Sequence, residues 1–327
     1  MIWVTWRQHR AQALATLIGL AAIGVFSLIT GPRIVAAFRE LHSCLVVPGQ
    51  DCSLLHDSFD RRFNSLQFVI PLYMVIPLLL GVFLGAPLIA REVEQGTHRL
   101  AWTQSVTRDR WALSKIGLVF GFALVVIALF AWMVTVWSGP LVAVSDDRFG
   151  FGTFDLRGIV PVAYGVFALA LGTAAGALIR RTLPAMAATL GAFVAVRVAM
   201  EMLLRPRYLP AQTISYPFLR ESPRAGLGDW IIASHILDPT GRFVSPDGGI
   251  RVDPMALGQA CPGFSRVSAL DKGQVGRCLS QLGVRTVDTF QPGSRYWLFQ
   301  GIETAIFLAL AAGLVVFAMW LIRRRIS

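Results

Sequence analysis

Residues 116–138 have the sequence IGLVFGFALVVIALFAWMVTVWS, which contains 23 residues and no charged side chain. A helix needs about 20 mostly apolar residues to cross the hydrocarbon core of a bilayer, which is roughly 30 Å thick. A run of this length and composition has no polar face to turn toward water. It therefore predicts a helix that spans a membrane.

Five further segments of the chain are long and apolar enough to do the same. Of the 327 residues, 55% are hydrophobic and 15% are charged, whereas roughly 25% are charged in soluble domains. So few charged residues cannot cover a water-soluble globule, and we expect an all-α membrane protein that crosses the bilayer six times. The predicted spans are residues 11–30, 66–90, 116–138, 159–179, 183–204 and 296–322.

The orientation of the spans follows from the Lys and Arg residues of the short loops. Twelve of these residues lie in four short segments on one side of the predicted membrane, and six lie in two segments on the other. An excess of Lys and Arg in short loops marks the cytoplasmic side, so both termini are predicted to be cytoplasmic. The excess can also bind anionic lipid headgroups, although orienting the chain is sufficient to account for it.

The predicted spans divide the chain into three parts. Residues 1–204 contain a short interfacial helix over 1–10, suggested by tryptophans beside basic residues, and the first five spans. Residues 205–295 hold 9 of the 17 prolines and 11 of the 30 glycines, and they are too long for a simple connection. We expect a loop-rich extracellular domain there, followed by the sixth span and a basic cytoplasmic tail over 296–327.

The four cysteines all fall in segments that are predicted to be extracellular. Cys44 and Cys52 follow the first span, and Cys261 and Cys278 lie between spans five and six. Disulfides persist outside the cytosol, so we expect the local pairs Cys44–Cys52 and Cys261–Cys278, with four free thiols as the alternative. No Cys-x-x-Cys or paired His spacing accompanies them, and no metal site is predicted.

The sequence contains none of the simple catalytic motifs. Neither of its lysines, Lys115 and Lys272, follows a glycine, which excludes a Gly-Lys-Ser/Thr phosphate-binding loop. His-Glu-x-x-His and Gly-x-Ser-x-Gly, the signatures of metalloproteases and serine hydrolases, are also absent. We therefore predict a chain that is not itself an enzyme. A net charge of +11 would suggest a nucleic-acid partner for a soluble protein. Here the positive residues are concentrated on the predicted cytoplasmic side of the membrane, and no nucleic-acid partner is expected.

Glycine and proline positions predict how the spans pack. Glycines spaced four residues apart let membrane helices approach each other closely. Proline interrupts the second predicted span three times, and each proline removes a backbone donor and kinks the helix. The glycine pairs are Gly81/Gly85, Gly117/Gly121 and Gly172/Gly176, and the prolines are Pro71, Pro77 and Pro87.

Charged residues also occur within the predicted spans, where they are costly and often functional. Arg197 and Glu201 in span five have the i, i+4 spacing that places side chains on one helix face. Glu303 lies about two turns into span six from the same side. These residues predict either a charged gate at the outer end of a translocation path or a structural Arg197–Glu201 ion pair.

The predicted cytoplasmic loop over residues 91–115 begins REVEQGTHRLAW. Its charged residues are followed by the apolar Leu100, Ala101 and Trp102, which need a partner or the membrane surface. The loop is therefore suited to docking a cytoplasmic protein, with a plain solvated loop as the alternative.

This loop resembles the one that follows the second span in the membrane subunits of type-2 ABC exporters. That family usually has an Arg-Glu-x-Glu-x-Gly-Thr pattern there, matched by Arg91 to Thr97, and a later Ser/Thr-Arg return, matched by Thr107-Arg108. Trp6-Arg7-Gln8 and Gly85-Ala86-Pro87 are similar to actinobacterial members. The motif resemblance covers residues 85–115, whereas the resemblance in topology covers the whole chain.

The resemblance implies the permease subunit of an ATP-driven exporter in a bacterial cytoplasmic membrane. Separate ABC ATPase subunits would bind ATP and Mg, this chain would hold no cofactor, and a second permease copy would complete a dimer. The substrate would be amphipathic, with a drug or antibiotic as the first expectation. A non-transporting sensor or scaffold that displays residues 205–295 is the alternative. The implied ATPase-coupling residues are Arg91, Glu92, Glu94, Gly96, Thr97, Arg99, Leu100 and Trp102.

Overall fold

A computed structural model of the chain defines two compact units. One, which we call the membrane unit, comprises Met1–Ser145, Gly150–Arg205 and Trp297–Ser327. The other, the sheet unit, comprises Asp146–Phe149 and Pro206–Tyr296. The residues that the structure describes are 2–47, 49–97, 107–145, 147–150, 152–218, 222–223, 228–237, 243–244, 279–280 and 283–325.

Six helices within these described residues are long and apolar enough to cross a membrane. Each of them overlaps one of the six predicted segments, and the prediction of an all-α polytopic membrane protein is confirmed. The candidate spans are His9–Leu45, Val75–Glu94, Arg108–Ser145, Val160–Ile179, Thr182–Arg207 and Gly293–Arg324.

Helix α1 runs without a break over Ile2–Leu45 and contains 44 residues. At a rise of 1.5 Å per residue it is about 66 Å long, roughly twice the thickness of a hydrocarbon core. The short helix predicted over residues 1–10 is therefore not a separate element. No glycine or proline occurs before Gly19 in this helix, so nothing in the local sequence ends the first turns before the span begins.

A disulfide joins the end of α1 to the start of the next helix. Cys44 and Cys52 are bonded, with their Cα atoms 6.0 Å apart, and helix α2 follows directly over Ser53–Phe63. The predicted Cys44–Cys52 pair is thus present. The predicted Cys261–Cys278 pair lies outside the described residues.

The second span is a series of short pieces. A 3₁₀ turn over Asn64–Phe68 is followed by α3 (Val69–Tyr73), α4 (Val75–Leu80), a π-helical turn over Gly81–Gly85 and α5 (Ala86–Glu94). The prolines explain the interruptions, because each one leaves the carbonyl four residues earlier without its helical donor.

The carbonyl that Pro87 leaves without a donor is that of Phe83. The side chain of Gln12 on α1 supplies the missing donor, with its Nε2 atom 3.0 Å from the Phe83 oxygen. A neighbouring helix therefore satisfies the backbone group that the kink exposes, as the membrane interior requires.

The remaining helices are more regular. Helix α6 spans Arg108–Ser145, the short α7 spans Thr153–Leu156, and α8 spans Val160–Ile179. Helix α9 spans Thr182–Ala199 and continues as a π-helical turn over Met200–Leu204 and a 3₁₀ turn over Arg205–Arg207. The last helix, α10, spans Tyr296–Arg325.

Contacts between helix ends show which ends lie together. Arg323 Nε on α10 is 2.7 Å from Asp109 Oδ1 on α6, and Glu94 at the end of α5 accepts from Thr182 at the start of α9. We call this end of the membrane unit the basic end. It joins the end of span two, the start of span three, the start of span five and the end of span six, which is the arrangement that successive crossings require. Its cytoplasmic location stays a prediction.

Spans two and four pack backbone to backbone at two of the three glycine pairs. A Cβ atom added at Gly81 would lie 2.5 Å from the carbonyl oxygen of Ala168, and one at Gly176 would lie 2.5 Å from that of Ala86. Gly121, from the third pair, has no other described atom within 4 Å of such a Cβ. The spacing of glycines alone therefore does not identify which pairs form an interface.

The sheet unit contains an antiparallel sheet with the strand order β1-β4-β2-β3. The strands are β1 (Gln212–Pro217), β2 (Trp230–Leu237), β3 (Phe243–Val244) and β4 (Arg285–Gln291). The prediction for this segment was loop-rich, and the sheet is an addition to it. Frequent proline and glycine conceal strands that are only two to eight residues long.

A carboxylate lies inside this sheet. Asp288 on β4 is buried and accepts hydrogen bonds from the Tyr216 hydroxyl and the Ser234 hydroxyl, each at 2.7 Å. Burial together with the bond to Asp288 raises the pKa of Tyr216 to about 12. Strand β4 is thus linked through one side chain to both of its neighbours, β1 and β2.

The glycine contacts predict different outcomes for two equal substitutions. A Cβ at Gly172 would lie 2.7 Å from the backbone nitrogen of Ala86, so Gly172→Ala should separate spans two and four and lower the Tm of the detergent-purified protein. Gly121→Ala adds the same methyl group in open space, where alanine is favoured over glycine in a helix by about 1 kcal/mol, and its Tm should be unchanged or higher. Equal shifts for the two variants would contradict the close packing.

Candidate functional site

Five polar side chains meet in the interior of the membrane unit. Asp155 comes from α7, Tyr164 from α8, Arg197 from α9, Arg205 from the 3₁₀ turn that follows, and Glu303 from α10. We call them the charge cluster. Each is at most 8% exposed, and Glu303 is completely buried. Ionised groups in such a place are stable only when they are paired.

Arg205 makes the most extensive contacts in the charge cluster. Its Nε and Nη2 atoms lie 2.9 Å from Oε2 and Oε1 of Glu303, and Nη2 also lies 2.5 Å from Oδ1 of Asp155. Two parallel bonds from one guanidinium to one carboxylate form the strongest common type of ion pair. Arg205 therefore ties the end of span five to span six and to α7.

Arg197 contacts the same two acids from the other side. Its Nη2 atom is 2.8 Å from Asp155 Oδ2, and its Nη1 atom is 3.3 Å from Glu303 Oε1 and 2.6 Å from the Tyr164 oxygen. Its guanidinium also lies over the Tyr164 ring, 3.9 Å from the centroid, a favourable placement for a cation.

The predicted Arg197–Glu201 ion pair is not formed. Among the described residues, the ion pairs of Arg197 are with Asp155 and Glu303, while Glu201 is only partly buried on the π-helical turn. A buried guanidinium interacts more strongly with buried carboxylates than with one that water screens. The choice between a charged gate and a structural ion pair therefore concerns the pairs of Arg197 with Asp155 and Glu303.

Tyr164 connects the two acids. Its hydroxyl oxygen is 3.0 Å from Asp155 Oδ1 and 2.5 Å from Glu303 Oε1, and it accepts from Arg197. A phenol has one hydrogen to donate, so it can donate to only one of the two carboxylates at a time. Two guanidiniums and two carboxylates make the charge cluster formally neutral, which lowers the cost of burying it.

Asp155 precedes the fourth candidate span, and its surroundings act on it in opposite directions. Burial raises the pKa of Asp155, but the guanidiniums of Arg197 and Arg205 outweigh this and hold the pKa below its usual value. Asp155 is therefore a carboxylate at neutral pH, as the neutral charge count of the cluster assumes.

The sequence predicted Arg197 and Glu303 as intramembrane charges, and the structure brings these two together. Asp155 and Tyr164 were not predicted, because nothing near either residue in the sequence distinguishes it from a loop acid or an apolar-helix tyrosine. One signal was present. Two arginines at the end of span five face a single buried acid in span six, and such an excess of buried positive charge indicates that a second carboxylate is required.

At the basic end, two of the predicted coupling residues have partners on other helices. Glu92 and Lys115 are both buried and form an ion pair between α5 and α6. Glu94 Oε2 accepts from the backbone N–H of Thr182 at 2.9 Å and from its hydroxyl at 2.7 Å. A carboxylate at a helix start satisfies free N–H groups and interacts favourably with the helix dipole.

The next residues form the turn that follows α5. Gly96 has a φ of +70°, a left-handed conformation that glycine adopts without strain, and the Thr97 hydroxyl donates to the Glu92 carbonyl at 3.5 Å. Arg91 is exposed at this end. The other predicted coupling residues, Arg99, Leu100 and Trp102, lie outside the described residues.

The six apolar helices, with paired charges where they meet, define a multi-pass integral membrane protein. Residues 17–205 match the family model described as "ABC-2 membrane transporter related". Since the match covers more than half of the chain, the protein belongs to this family, and its role is that of a permease-type transporter subunit. No curated protein and no solved structure matches the chain.

The family match covers only part of the candidate sites. The match includes the turn after α5 and four of the five cluster residues, and it ends at Arg205. Glu303 and the sheet unit after Arg205 lie beyond it. Membership of the family also implies partner ABC ATPase subunits, since ABC-2 permeases are not catalytic themselves.

The cluster geometry predicts that Glu201, on the same span as Arg197 and Arg205, and Glu303, on α10, differ sharply in importance. Glu303→Gln leaves two buried guanidiniums with one carboxylate, and breaking a buried pair costs about 3–5 kcal/mol. The Tm in detergent should fall strongly. Glu201→Gln is the matched control and should change the Tm little, because Glu201 forms no ion pair with any described residue. Similar losses in both variants would refute the assignment of partners.

Proposed function

We propose that this chain is the permease subunit of an ATP-driven exporter, with hydrolysis performed by separate ABC ATPase subunits that bind ATP and Mg. The observation that carries the proposal is the family match over residues 17–205, which includes the turn between spans two and three. The protein would lie in the cytoplasmic membrane of a bacterium with its basic end toward the cytoplasm. A second permease copy would complete the transporter.

The contacts of Glu92 and Glu94 support a coupling role for residues 91–97. Glu92 is paired with Lys115 on α6, and Glu94 is bonded to the first residue of α9. A force applied to this segment by a closing ATPase would therefore act on spans two, three and five together. Direct pairing of this kind transmits a displacement better than a solvated loop does.

The charge cluster lies at the end of the membrane unit away from these contacts, and we assign it to the outer gate. Its salt bridges hold α7, α9 and α10 together, with Tyr164 of α8 between them. Opening a path there requires the charges to separate or to be hydrated, which is costly in a buried site. A closed gate held in this way would open only when the ATPases supply free energy.

The substrate would be amphipathic, and a drug or antibiotic is the first class to test. Residues 206–295 of the sheet unit lie beyond the family match, and the competing function of a non-transporting sensor or scaffold would depend on the segment 205–295. Affinity purification of the tagged chain in mild detergent distinguishes the two. Recovery of an ABC ATPase subunit with substrate-stimulated hydrolysis supports export, and a preparation that consistently lacks any nucleotide-binding subunit contradicts it.

Two substitutions in the turn after α5 test the coupling role. Gly96→Pro should uncouple hydrolysis from export or weaken ATPase docking, because proline cannot adopt a φ of +70°. Glu94→Ala removes both bonds to Thr182 and should have the same effect. Thr182→Val, which keeps the backbone N–H, should be milder. Normal export and normal assembly in the first two variants would exclude this segment from coupling.

A neutral double substitution tests the gate. Asp155→Asn with Arg197→Met removes one charge of each sign and leaves the two-bond Arg205–Glu303 pair, at 2.9 Å for each bond, in place. If the cluster is a gate, the double variant should assemble and hydrolyse ATP but export poorly. If the cluster only stabilises the fold, the assembled variant should export at the wild-type rate, and the gate assignment would be wrong.

A further inference from the structure

An apolar cavity of about 340 Å³ lies in the membrane unit between α1, the second span and α6. From α1 it is lined by Ala15, Gly19, Leu20 and Ile23 as well as by Gln12 and Thr16, and the other helices contribute only apolar side chains. Its volume lies within the range of about 300–1,000 Å³ that is typical of small-molecule sites. None of the residues that line it belongs to the proposed coupling segment or to the charge cluster.

The cavity is elongated along α1. From Gln12 to Ile23 the helix rises about 16 Å at 1.5 Å per residue, which is close to half of a hydrocarbon core that is roughly 30 Å thick. The polar atoms that line it are already engaged, since the Thr16 hydroxyl donates to the Gln12 carbonyl at 2.8 Å and Gln12 donates to Phe83. The cavity therefore suits a chain of hydrocarbon that is as long as one leaflet.

Gln12 marks the point where this cavity meets two polar pockets at the basic end. One pocket, of about 150 Å³, is lined by His9, Arg91, Glu92, Gln95 and Thr97 among others. The second, of about 730 Å³, is lined by Arg91, Glu94, Gln95, Arg181 and Thr182 among others. Gln12 lines all three spaces, and Arg91 lines both of the polar ones.

The charges around the polar pockets leave an excess of positive charge. Glu92 is paired with Lys115, and Glu94 is bonded to Thr182 and interacts with Arg181. Arg91 takes part in none of the ion pairs found within the described part of the chain. An exposed guanidinium without an acidic partner attracts a phosphate. Arg91 is such a group, and it lines the two polar pockets that meet the apolar cavity at Gln12.

We infer that this composite space is a binding site for one anionic phospholipid from the leaflet at the basic end. One acyl chain occupies the apolar cavity beside α1, and the phosphate lies at Arg91 with Arg181 nearby. The site is a property of the membrane unit alone and does not depend on export or on an ATPase. The bound lipid fills the space between α1 and the second span, which Gln12 otherwise bridges with a single bond to Phe83.

The test uses the full-length chain purified in detergent and mixed with equal amounts of phosphatidylglycerol and phosphatidylcholine of the same acyl chains. Native mass spectrometry then counts the lipids that remain bound. The expected result is one retained phospholipid per chain with phosphatidylglycerol in excess. Arg91→Gln should reduce that preference about fivefold, the factor that corresponds to one basic residue at an anionic lipid surface.

A second pair of variants tests the acyl-chain cavity. Gly19→Leu places a side chain in the cavity, where a Cβ meets no described atom within 4 Å, and it should abolish retention of the lipid. Gly121→Leu, equally unobstructed but outside the cavity, should retain it. Ala15→Phe fills the same cavity and replaces Gly19→Leu if that variant does not fold.

Three results would overturn the inference. Equal retention of the two phospholipids by the wild-type chain would remove the role of Arg91. Undiminished retention by a folded cavity-filling variant would remove the cavity as the acyl site. Displacement of the phospholipid by an equal amount of a single-chain fatty acid would identify a different class of occupant.

Discussion

Hydrocarbon offers no hydrogen bonds, so each polar group inside the membrane unit must find its partner within the protein. Three sets of contacts in the structure answer this requirement. Gln12 donates to the single carbonyl that Pro87 leaves without a donor, Glu92 and Lys115 neutralise each other between two helices, and the charge cluster balances four ionised groups around one tyrosine. In each case the partner comes from a different helix. Local helix formation alone therefore cannot complete the structure, and the polar contacts determine which helices are neighbours.

The parts of the structure that depend on neighbouring residues in the sequence were predictable, and the parts that depend on distant ones were not. A span was predicted over residues 159–179 and is observed over Val160–Ile179, because the free energy of burying a helix in hydrocarbon is a sum over consecutive residues. Asp155 was missed as a partner of Arg197 because the whole of α8 lies between the two residues in the sequence. The strands were missed because they are short and lie in a segment whose many prolines and glycines favour loops.

The two π-helical turns lie close to the features that distinguish this membrane unit. Gly81–Gly85 precedes α5 and the kink at Pro87, and Met200–Leu204 lies between Arg197 and Arg205. Such turns insert one additional residue into a helix and are frequently found at functional sites. The second of them separates Arg197 from Arg205 along span five and still allows both guanidiniums to reach Asp155. In a regular α-helix of 3.6 residues per turn, the two arginines would point toward different sides of the helix.

The charge cluster is assembled from residues that are synthesised at different times. Arg205 and Glu303 are 98 residues apart, and at about 5–20 residues per second the ribosome needs roughly 5–20 s to reach the glutamate. During that interval Asp155 is the one carboxylate of the cluster already synthesised, and the two guanidiniums of Arg197 and Arg205 leave an uncompensated positive charge. Insertion of the final helix supplies the missing carboxylate. The charge cluster is therefore complete only after the last helix is in place, and a chain truncated before span six would keep two buried arginines with a single carboxylate.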